Sequence, residues 1–396
     1  MTPTRYSNFA LYIICILVFW APVARGSVHP WATTVIQLGV LLAGFAVVLE
    51  SVCYNTSLVS KALLSWPIIC ILFLCFISTM VSGYFPWDGF FLLLTYALVY
   101  FILQIVVRTK QHRDHVIYTI VGTALFLAIL GLLKRFEMVH FWEYPELKYS
   151  KTWLASSFGN HNHMAGFLEM ALPFAVILFF LKENIPRYLL WNIFFVLLIT
   201  QVLTLSRGGW ISSVLSFFFM GFFLLKGSAF KRLRSFWVIG AIALIGVGFI
   251  LISSPIIKRG LSISQKMEEA SFSSRILAWK GTLNLIQEVP FFGTGPGTYS
   301  EAFSFHQPPG LSAVFLNAHN DYLQFASDVG LFLWPFFLWF LYRLLNAGIS
   351  SYPKLAVLTC VFALLVHSTV DFNFHIPSNA LLASLICSFP FIEVAE

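Results

Sequence analysis

Three residues in this sequence have the chemistry to bind and turn over an anionic substrate at the edge of an apolar region. Arg207 and Arg275 each stand beside an apolar run, and an arginine offers phosphate a planar, bidentate set of donors. His319 precedes another apolar run, and an imidazole accepts protons near neutral pH. Together these residue types predict an anion clamp with a general base.

Arg207 lies in Leu205-Ser-Arg-Gly-Gly-Trp210, a short turn between two apolar runs. As an anion clamp, this turn would use Gly208 and Gly209 to let a ligand approach the backbone. As an interfacial anchor, Arg207 would extend its guanidinium to water beside Trp210. The sequence leaves both interpretations open.

Arg275 stands at the start of residues 274–288, whose apolar spacing predicts a helix lying flat at the membrane surface. Ser273 or Ser274 could cap this helix, and the free N–H groups of a helix start favour anions. The alternative is that Arg275 only occupies the wet face of a surface helix.

His319 lies in Asn317-Ala-His-Asn-Asp-Tyr-Leu-Gln324, where a long loop enters an apolar run. A helix that starts here would place His319 on one face with Tyr322 and Leu323. The histidine is then either a proton acceptor or an interfacial residue held by structural hydrogen bonds.

Seven polar or ionisable residues near these motifs are secondary candidates: His161, His163, Glu169, Asn320, Asp321, His367 and Asp371. Glu169 lies about one turn inside an apolar run, where a carboxylate is either functional or bonded to a neighbouring helix. His367, Asp371 and His375 would share one face if a single helix carried them. Pro377 makes that helix doubtful, so we predict no metal site and no cofactor.

The composition determines which elements must position these residues. Of the 396 residues, 59% are hydrophobic and only 10% are charged, against about 25% charged in a soluble domain. This excludes an ordinary cytosolic enzyme, a disordered protein and a nucleic-acid binder. We expect an all-α membrane protein, with residues 1–396 as one integral membrane domain, and we interpret its six cysteines as buried apolar residues.

Twelve apolar runs are long enough to cross a bilayer, which takes about 20 residues. They lie near 8–24, 32–50, 64–82, 90–107, 115–133, 164–181, 187–204, 210–226, 235–252, 320–343, 353–371 and 377–393. With twelve spans, the five breaks rich in lysine and arginine all fall on one side, which is therefore cytoplasmic. Both termini are then cytoplasmic as well. A cleaved signal peptide at the first run would leave eleven spans, but we favour an uncleaved anchor.

Two long segments fall on the outer face, at residues 134–163 and 253–319. The second joins spans 9 and 10 and contains the proposed interfacial helix. Long loops of this kind are usually functional. Arg207, Arg275 and His319 all lie on this outer, periplasmic side.

Four motifs in this order resemble the O-antigen ligase and polymerase family. They are Ser206-Arg207-Gly-Gly-Trp210, then Ser274-Arg275 with Trp279 and Pro290–Tyr299, then Ala318–Gln324, and finally His367–Pro377. The resemblance covers roughly residues 155–380, whereas the first five spans resemble the family only in hydropathy and number.

The resemblance implies a GT-C-like, all-helical glycosyltransferase of the bacterial inner membrane, with its active site facing the periplasm. Such an enzyme takes a glycan from undecaprenyl diphosphate and inverts the sugar's configuration without a metal ion. Arg207 and Arg275 would hold the donor diphosphate, and His319 would act on the acceptor hydroxyl or stabilise the leaving group.

Three functions remain open. A ligase would use the lipid A core as acceptor, and we favour this function. A polymerase would use a second lipid-linked glycan. A small-solute transporter of the inorganic-carbon type would need ionisable residues near the middle of the membrane, where Glu169 is the one candidate.

Overall fold

The computed structural model describes residues 4–55, 65–138, 153–182, 184–226, 255–311, 315–347 and 351–392. All regular secondary structure in these ranges is helical, which confirms the all-α class. Six of the helices are long and apolar enough to cross a bilayer. The protein is therefore a multi-pass membrane protein.

Most of the α-helices follow the apolar runs of the sequence. The α-helices are α1 (Arg5–Val23), α2 (Pro30–Tyr54), α3 (Trp66–Val81), α4 (Trp87–Val106), α5 (Lys110–Arg135), α6 (His161–Leu181), α7 (Arg187–Leu203), α8 (Arg207–Lys226), α9 (Pro255–Glu288), α10 (Tyr299–Phe303), α11 (Asp321–Asp328), α12 (Leu333–Asn346), α13 (Tyr352–His367) and α14 (Pro377–Ser388). Helices α9 and α10 lie instead in the expected outer segment 253–319.

The expected run near 235–252 lies outside the described residues, as do parts of the expected outer segments 134–163 and 253–319. Helices α3, α7, α13 and α14, the last counted with the short turn that follows it, are apolar but shorter than a full span. Described helices account for the other expected runs. Because one run is not described and four helices are short, the count of twelve spans stays a prediction.

The run at 320–343 was expected to be one continuous span, and that expectation is wrong. It is broken into α11 and α12 around Gly330, whose φ of +88° is a left-handed conformation that favours glycine. The next residue donates its N–H to the carbonyl of Pro290, over 2.7 Å. The break therefore docks onto the loop that follows α9.

Helix α6 lies at the centre of the bundle, and 83% of its apolar window is buried by protein. It packs against α5, α7, α8, α13 and α14. A helix that is apolar on all sides is stable when protein or lipid surrounds it. Helix α2 is peripheral instead, and its side chains Leu38, Leu41 and Phe45 are exposed.

Three ion pairs among the described residues lie at the bundle end where α4 ends and α5 begins. Arg108 donates to Glu50 over 2.7 Å, and Asp114 pairs with Lys182 at 2.5 Å and with Arg113 at 3.4 Å. Three of the basic residues used to assign orientation are thus partly neutralised. The six cysteines form no disulfide. Cys75 and Cys360 are buried as expected, whereas Cys15, Cys70 and Cys387 are only partly buried and Cys53 is exposed.

The break at Gly330 leads to a stability prediction. A Cβ at Gly330 would lie 2.1 Å from the carbonyl oxygen of Phe291, so Gly330→Ala forces the backbone to move. We expect a loss of roughly 2 kcal/mol or more, combining left-handed strain with the clash. The measurement is the apparent melting temperature of the purified protein in detergent.

Gly122→Ala is the matched control, because a Cβ at that helical position meets nothing within 4 Å. Equal melting temperatures for the two variants would show that the break does not depend on glycine.

Candidate active site

The turn between α7 and α8 presents Arg207 at the start of a helix. Leu205 adopts a left-handed conformation (φ +57°), which is unusual for a bulky residue and reverses the chain sharply. The Ser206 hydroxyl then accepts the N–H of Gly209 over 3.2 Å, and this caps α8. The Arg207 side chain is exposed at the capped helix start.

The glycines of this turn serve helix packing. A Cβ at Gly208 would lie 2.8 Å from the ring of His367, and one at Gly209 would lie 2.7 Å from the Cβ of Ala165. The protein itself fills the space beside both residues. The glycines therefore let α8 approach α6 and α13 closely.

Helix α9 supplies the second arginine. Arg275 Nη1 donates to the carbonyl of Val370 over 2.8 Å, and Trp279 Nε1 donates to the carbonyl of Ala318 over 2.9 Å. One helix thus holds both the turn after α13 and the residue before His319. Because α9 begins at Pro255, Ser273 and Ser274 lie inside it, so the expected cap beside Arg275 is wrong.

His319 precedes helix α11 and does not start it, contrary to expectation. It has a left-handed backbone (φ +50°), while Asn320 caps α11 by accepting the N–H of Leu323 over 3.0 Å. The ring of His319 meets Phe372 edge-on, with centroids 4.7 Å apart. Strained backbone of this kind is concentrated at functional positions.

Asp371 faces His319 across a short gap. His319 Nδ1 lies 3.7 Å from Asp371 Oδ1, slightly beyond hydrogen-bonding distance, and Asp371 is buried. Burial would raise the pKa of Asp371, but the neighbouring imidazoles, His319 first, hold this pKa below its usual range. The carboxylate therefore stays anionic and faces the imidazole, as in base–carboxylate pairs of enzymes.

Asp321 ties the His319 segment to the turn after α13. Its carboxylate accepts hydrogen bonds from the Ser368 hydroxyl (2.7 Å) and from the N–H of Phe374 (3.2 Å), and it binds His375 Nδ1 at 2.6 Å. Burial would lower the pKa of His375, but the Asp321 bond raises it. Asp321 is thus a structural anchor for the site.

Glu169 is sealed inside the bundle. Its carboxylate contacts His367 Nδ1 at 3.1 Å and accepts a hydrogen bond from the Ser212 hydroxyl. Both Glu169 and His367 are at most 1% exposed. These contacts favour a structural carboxylate bonded to neighbouring helices over a functional one.

The three residues whose spacing raised the question of a metal site contact different partners. Helix α13 ends at His367, so His367, Asp371 and His375 do not share one helix face. They face Glu169, His319 and Asp321 respectively. Among the described residues, no group of His, Cys, Asp and Glu side chains has the geometry to hold a metal ion.

His161 and His163, at the start of α6, lie beside the site. The ring of His163 meets Phe372 edge-on at 5.0 Å, and His161 stacks on Trp153. His161 is within electrostatic range of Asp371 and Arg275. Phe372 therefore separates two of the candidate imidazoles, His163 and His319.

The turn that carries Arg207, the Arg275 side chain and the His319 ring all lie against the turn that follows α13. Gly208, adjacent to Arg207, lies against Val370, and Arg275 binds the carbonyl of the same residue. Three buried nitrogens around this turn have no hydrogen-bond partner among the described residues: His161 Nδ1, His163 Nε2 and Arg275 Nε. Unpaired buried donors and acceptors on one small surface are typical of a site that a polar ligand completes.

Sequence reasoning missed Phe372 and Ser212. Phe372 lies between His163 and His319, and nothing in its spacing marked it among 43 phenylalanines. Ser212 lies five residues after Arg207 on the helix that Ser206 caps, so a search for polar residues on the inner face of α8 would have found it.

This geometry describes a multi-pass helical membrane protein with a cationic, imidazole-rich site where several helices end. Residues 192–340 match the family model for O-antigen ligase. The match includes Arg207, Arg275 and His319, and it confirms that this segment is similar to the O-antigen ligase family. No curated protein and no solved structure gives a significant match to the chain.

The contacts of Glu169 predict that it supports stability. Glu169→Ala would remove the carboxylate that His367 Nδ1 contacts inside the bundle, at a cost of roughly 3 kcal/mol or more. Glu169→Gln keeps a hydrogen-bond acceptor and should lose less. Thermal unfolding in detergent measures both. A Glu169→Ala protein as stable as wild type would contradict the structural role and reopen a role in transport.

Proposed function

We propose that this protein transfers a glycan from undecaprenyl diphosphate to an acceptor at the periplasmic face of the bacterial inner membrane. The fold would be GT-C-like with twelve spans and cytoplasmic termini. The O-antigen ligase match supports a glycosyltransferase of the ligation or polymerisation type. The observation that carries the proposal is the meeting of Arg275, the Arg207 turn and the His319–Asp371 pair around Val370.

Arg207 and Arg275 would bind the diphosphate of the donor. Guanidinium groups give bidentate, charge-assisted hydrogen bonds to phosphate oxygens. Neutralising the diphosphate makes it a better leaving group, because negative charge builds up there in the transition state. The proposal assigns this neutralisation to the two arginines and requires no metal ion.

His319 would act as the general base. The acceptor hydroxyl attacks the anomeric carbon in line, the bond to the diphosphate oxygen breaks, and undecaprenyl diphosphate leaves with the electron pair. The hydroxyl proton passes to His319, and the Asp371 carboxylate stabilises the resulting imidazolium. One in-line displacement inverts the configuration of the sugar.

The preferred acceptor is the lipid A core, which makes the protein an O-antigen ligase. The same residues would serve a polymerase whose acceptor is a second lipid-linked glycan. A transporter is disfavoured, because Glu169 is bonded within the bundle rather than exposed to a pathway.

Single substitutions test the three assigned roles. We expect Arg207→Ala and Arg275→Ala each to lower the transfer rate by roughly 10²–10³-fold, as for the loss of one preorganised donor. His319→Ala should lower it by about 10²–10⁴-fold, as for the loss of a general base. The rate is measured with purified protein in liposomes, under saturating donor and acceptor.

Lys280→Ala is the control for Arg275, because Lys280 is an exposed cation on the same helix. It should retain transfer near the wild-type rate. If any one of the three site variants also does so while remaining folded, that residue has no part in the mechanism.

The proposed orientation places residues 253–319 in the periplasm. In a background lacking the native cysteines, Ser304→Cys should react with a membrane-impermeant maleimide in cells whose outer membrane alone is permeabilised. Lys110→Cys, at the start of α5, should react only after the inner membrane is opened. Both positions are exposed, so access alone decides the result. The reverse pattern would overturn the orientation.

A further inference from the structure

Two adjoining cavities lie on the other side of the His319 segment. An apolar cavity of about 220 Å³ lies among α3, α4, α11, α12 and α14. A second cavity of about 190 Å³ lies nearer the loops and is lined in part by polar residues. The two share the lining residues Leu93, Tyr96, Phe325, Val329 and Phe374, so they adjoin, and together they offer an apolar and a polar end.

Asp328 gives the polar end its chemistry. It is 1% exposed, and its Oδ1 has no hydrogen-bond partner among the described residues. Its Oδ2 accepts the N–H of Gly297 over 3.1 Å, and His375 Nε2 lies 4.0 Å from the same oxygen. A buried carboxylate oxygen without a donor is costly, and a ligand hydroxyl would satisfy it.

The charges around this space distinguish it from the arginine site. Asp328 and His375 line the polar end, and Asp321 lines the apolar end. No arginine or lysine is among the described residues that line the two cavities, so a diphosphate would meet no cation there. The space therefore suits an apolar chain and an uncharged, hydroxyl-bearing part of a headgroup, and not the donor's diphosphate.

The segment from Asn317 to Asp321 separates the two sites. Asn317 lines the polar cavity, whereas His319 faces Asp371 and Phe372. Asp321 lines the apolar cavity and binds His375. A ligand in the double cavity would thus lie against the same short segment that carries His319.

We propose that this double cavity binds the acceptor glycolipid, with a segment of its hydrocarbon chain in the apolar end and a hydroxyl of its headgroup donating to Asp328. The proposal rests on the glycosyl transfer proposed above and assigns the acceptor its own binding residues. The apolar end exceeds the ~150 Å³ cavity that holds one benzene molecule, so it fits part of a chain and not a whole lipid. The rest of the acceptor would remain in the bilayer and the periplasm.

Photolabelling in nanodiscs tests the site directly. The probe is an alkyl glucoside with a diazirine in its eight-carbon chain, and the comparison probe is the alkyl phosphate of the same chain. We expect the glucoside to label α3, α4 or α12, and the phosphate to label these helices at least tenfold less. Purified lipid A core should compete with the glucoside, and undecaprenyl diphosphate should not.

Two variants probe the two ends of the cavity. Leu93→Trp narrows both cavities, and Asp328→Asn removes the carboxylate while keeping an acceptor for Gly297. Each should reduce labelling and raise the KM for lipid A core about tenfold, with the KM for donor unchanged. Leu338→Trp adds bulk on the exposed face of α12 and is the control. Size-exclusion chromatography checks that each variant is folded.

Several outcomes would overturn the proposal. One is glucoside labelling of the wild-type protein that is no stronger than labelling of the Leu93→Trp protein. Others are equal labelling by the phosphate probe and competition by undecaprenyl diphosphate, which would assign the cavity to the donor. An unchanged acceptor KM in both variants would overturn it too. Failure of the proposed function can be told apart from failure of the cavity proposal. In the first case wild-type protein transfers no glycan, while the labelling experiment still shows whether the cavity binds the glucoside.

Discussion

One buried carboxylate holds the site of this protein together. Asp321 accepts hydrogen bonds from Ser368 and from the backbone of Phe374, and it binds His375, so it joins the start of α11 to the turn between α13 and α14. That turn carries Asp371 and the carbonyl to which Arg275 donates. A fully bonded buried polar network fixes one arrangement, whereas a partly bonded one would cost stability. The position of His319 against Asp371 depends on this connection.

The segment anchored by Asp321 has a different chemical environment on each side. Toward α6, α8 and α9 it faces Arg275 and several imidazoles, which suit a diphosphate. Toward α3, α4 and α12 it faces an apolar space with a carboxylate, which suits a hydroxyl-bearing lipid. In the in-line displacement that we propose, the nucleophile and the leaving group lie on opposite sides of the anomeric carbon. The different environments on the two sides of residues 317–321 fit that proposed arrangement.

The apolar runs predicted the helices well, because about 20 apolar residues in a row have few other stable structures in lipid. They could not predict the break at Gly330, which depends on a contact with Phe291 far away in the chain. The types of residues at Arg207, Arg275 and His319 were visible from sequence. Their surroundings were not, since Glu169 and His367 meet across 198 positions and Phe372 carries no motif. Periodicity reports on neighbours along one helix, whereas these contacts join different helices.

The most direct test of the account is glycan transfer by the purified protein in liposomes. An undecaprenyl-diphosphate glycan is supplied with and without lipid A core, and the products are separated on a gel. The account predicts glycan attached to the core, formed only when core is present. Longer lipid-linked chains formed without core would make the protein a polymerase. No transfer with either acceptor, using substrates that a known ligase or polymerase accepts, would contradict the proposed reaction.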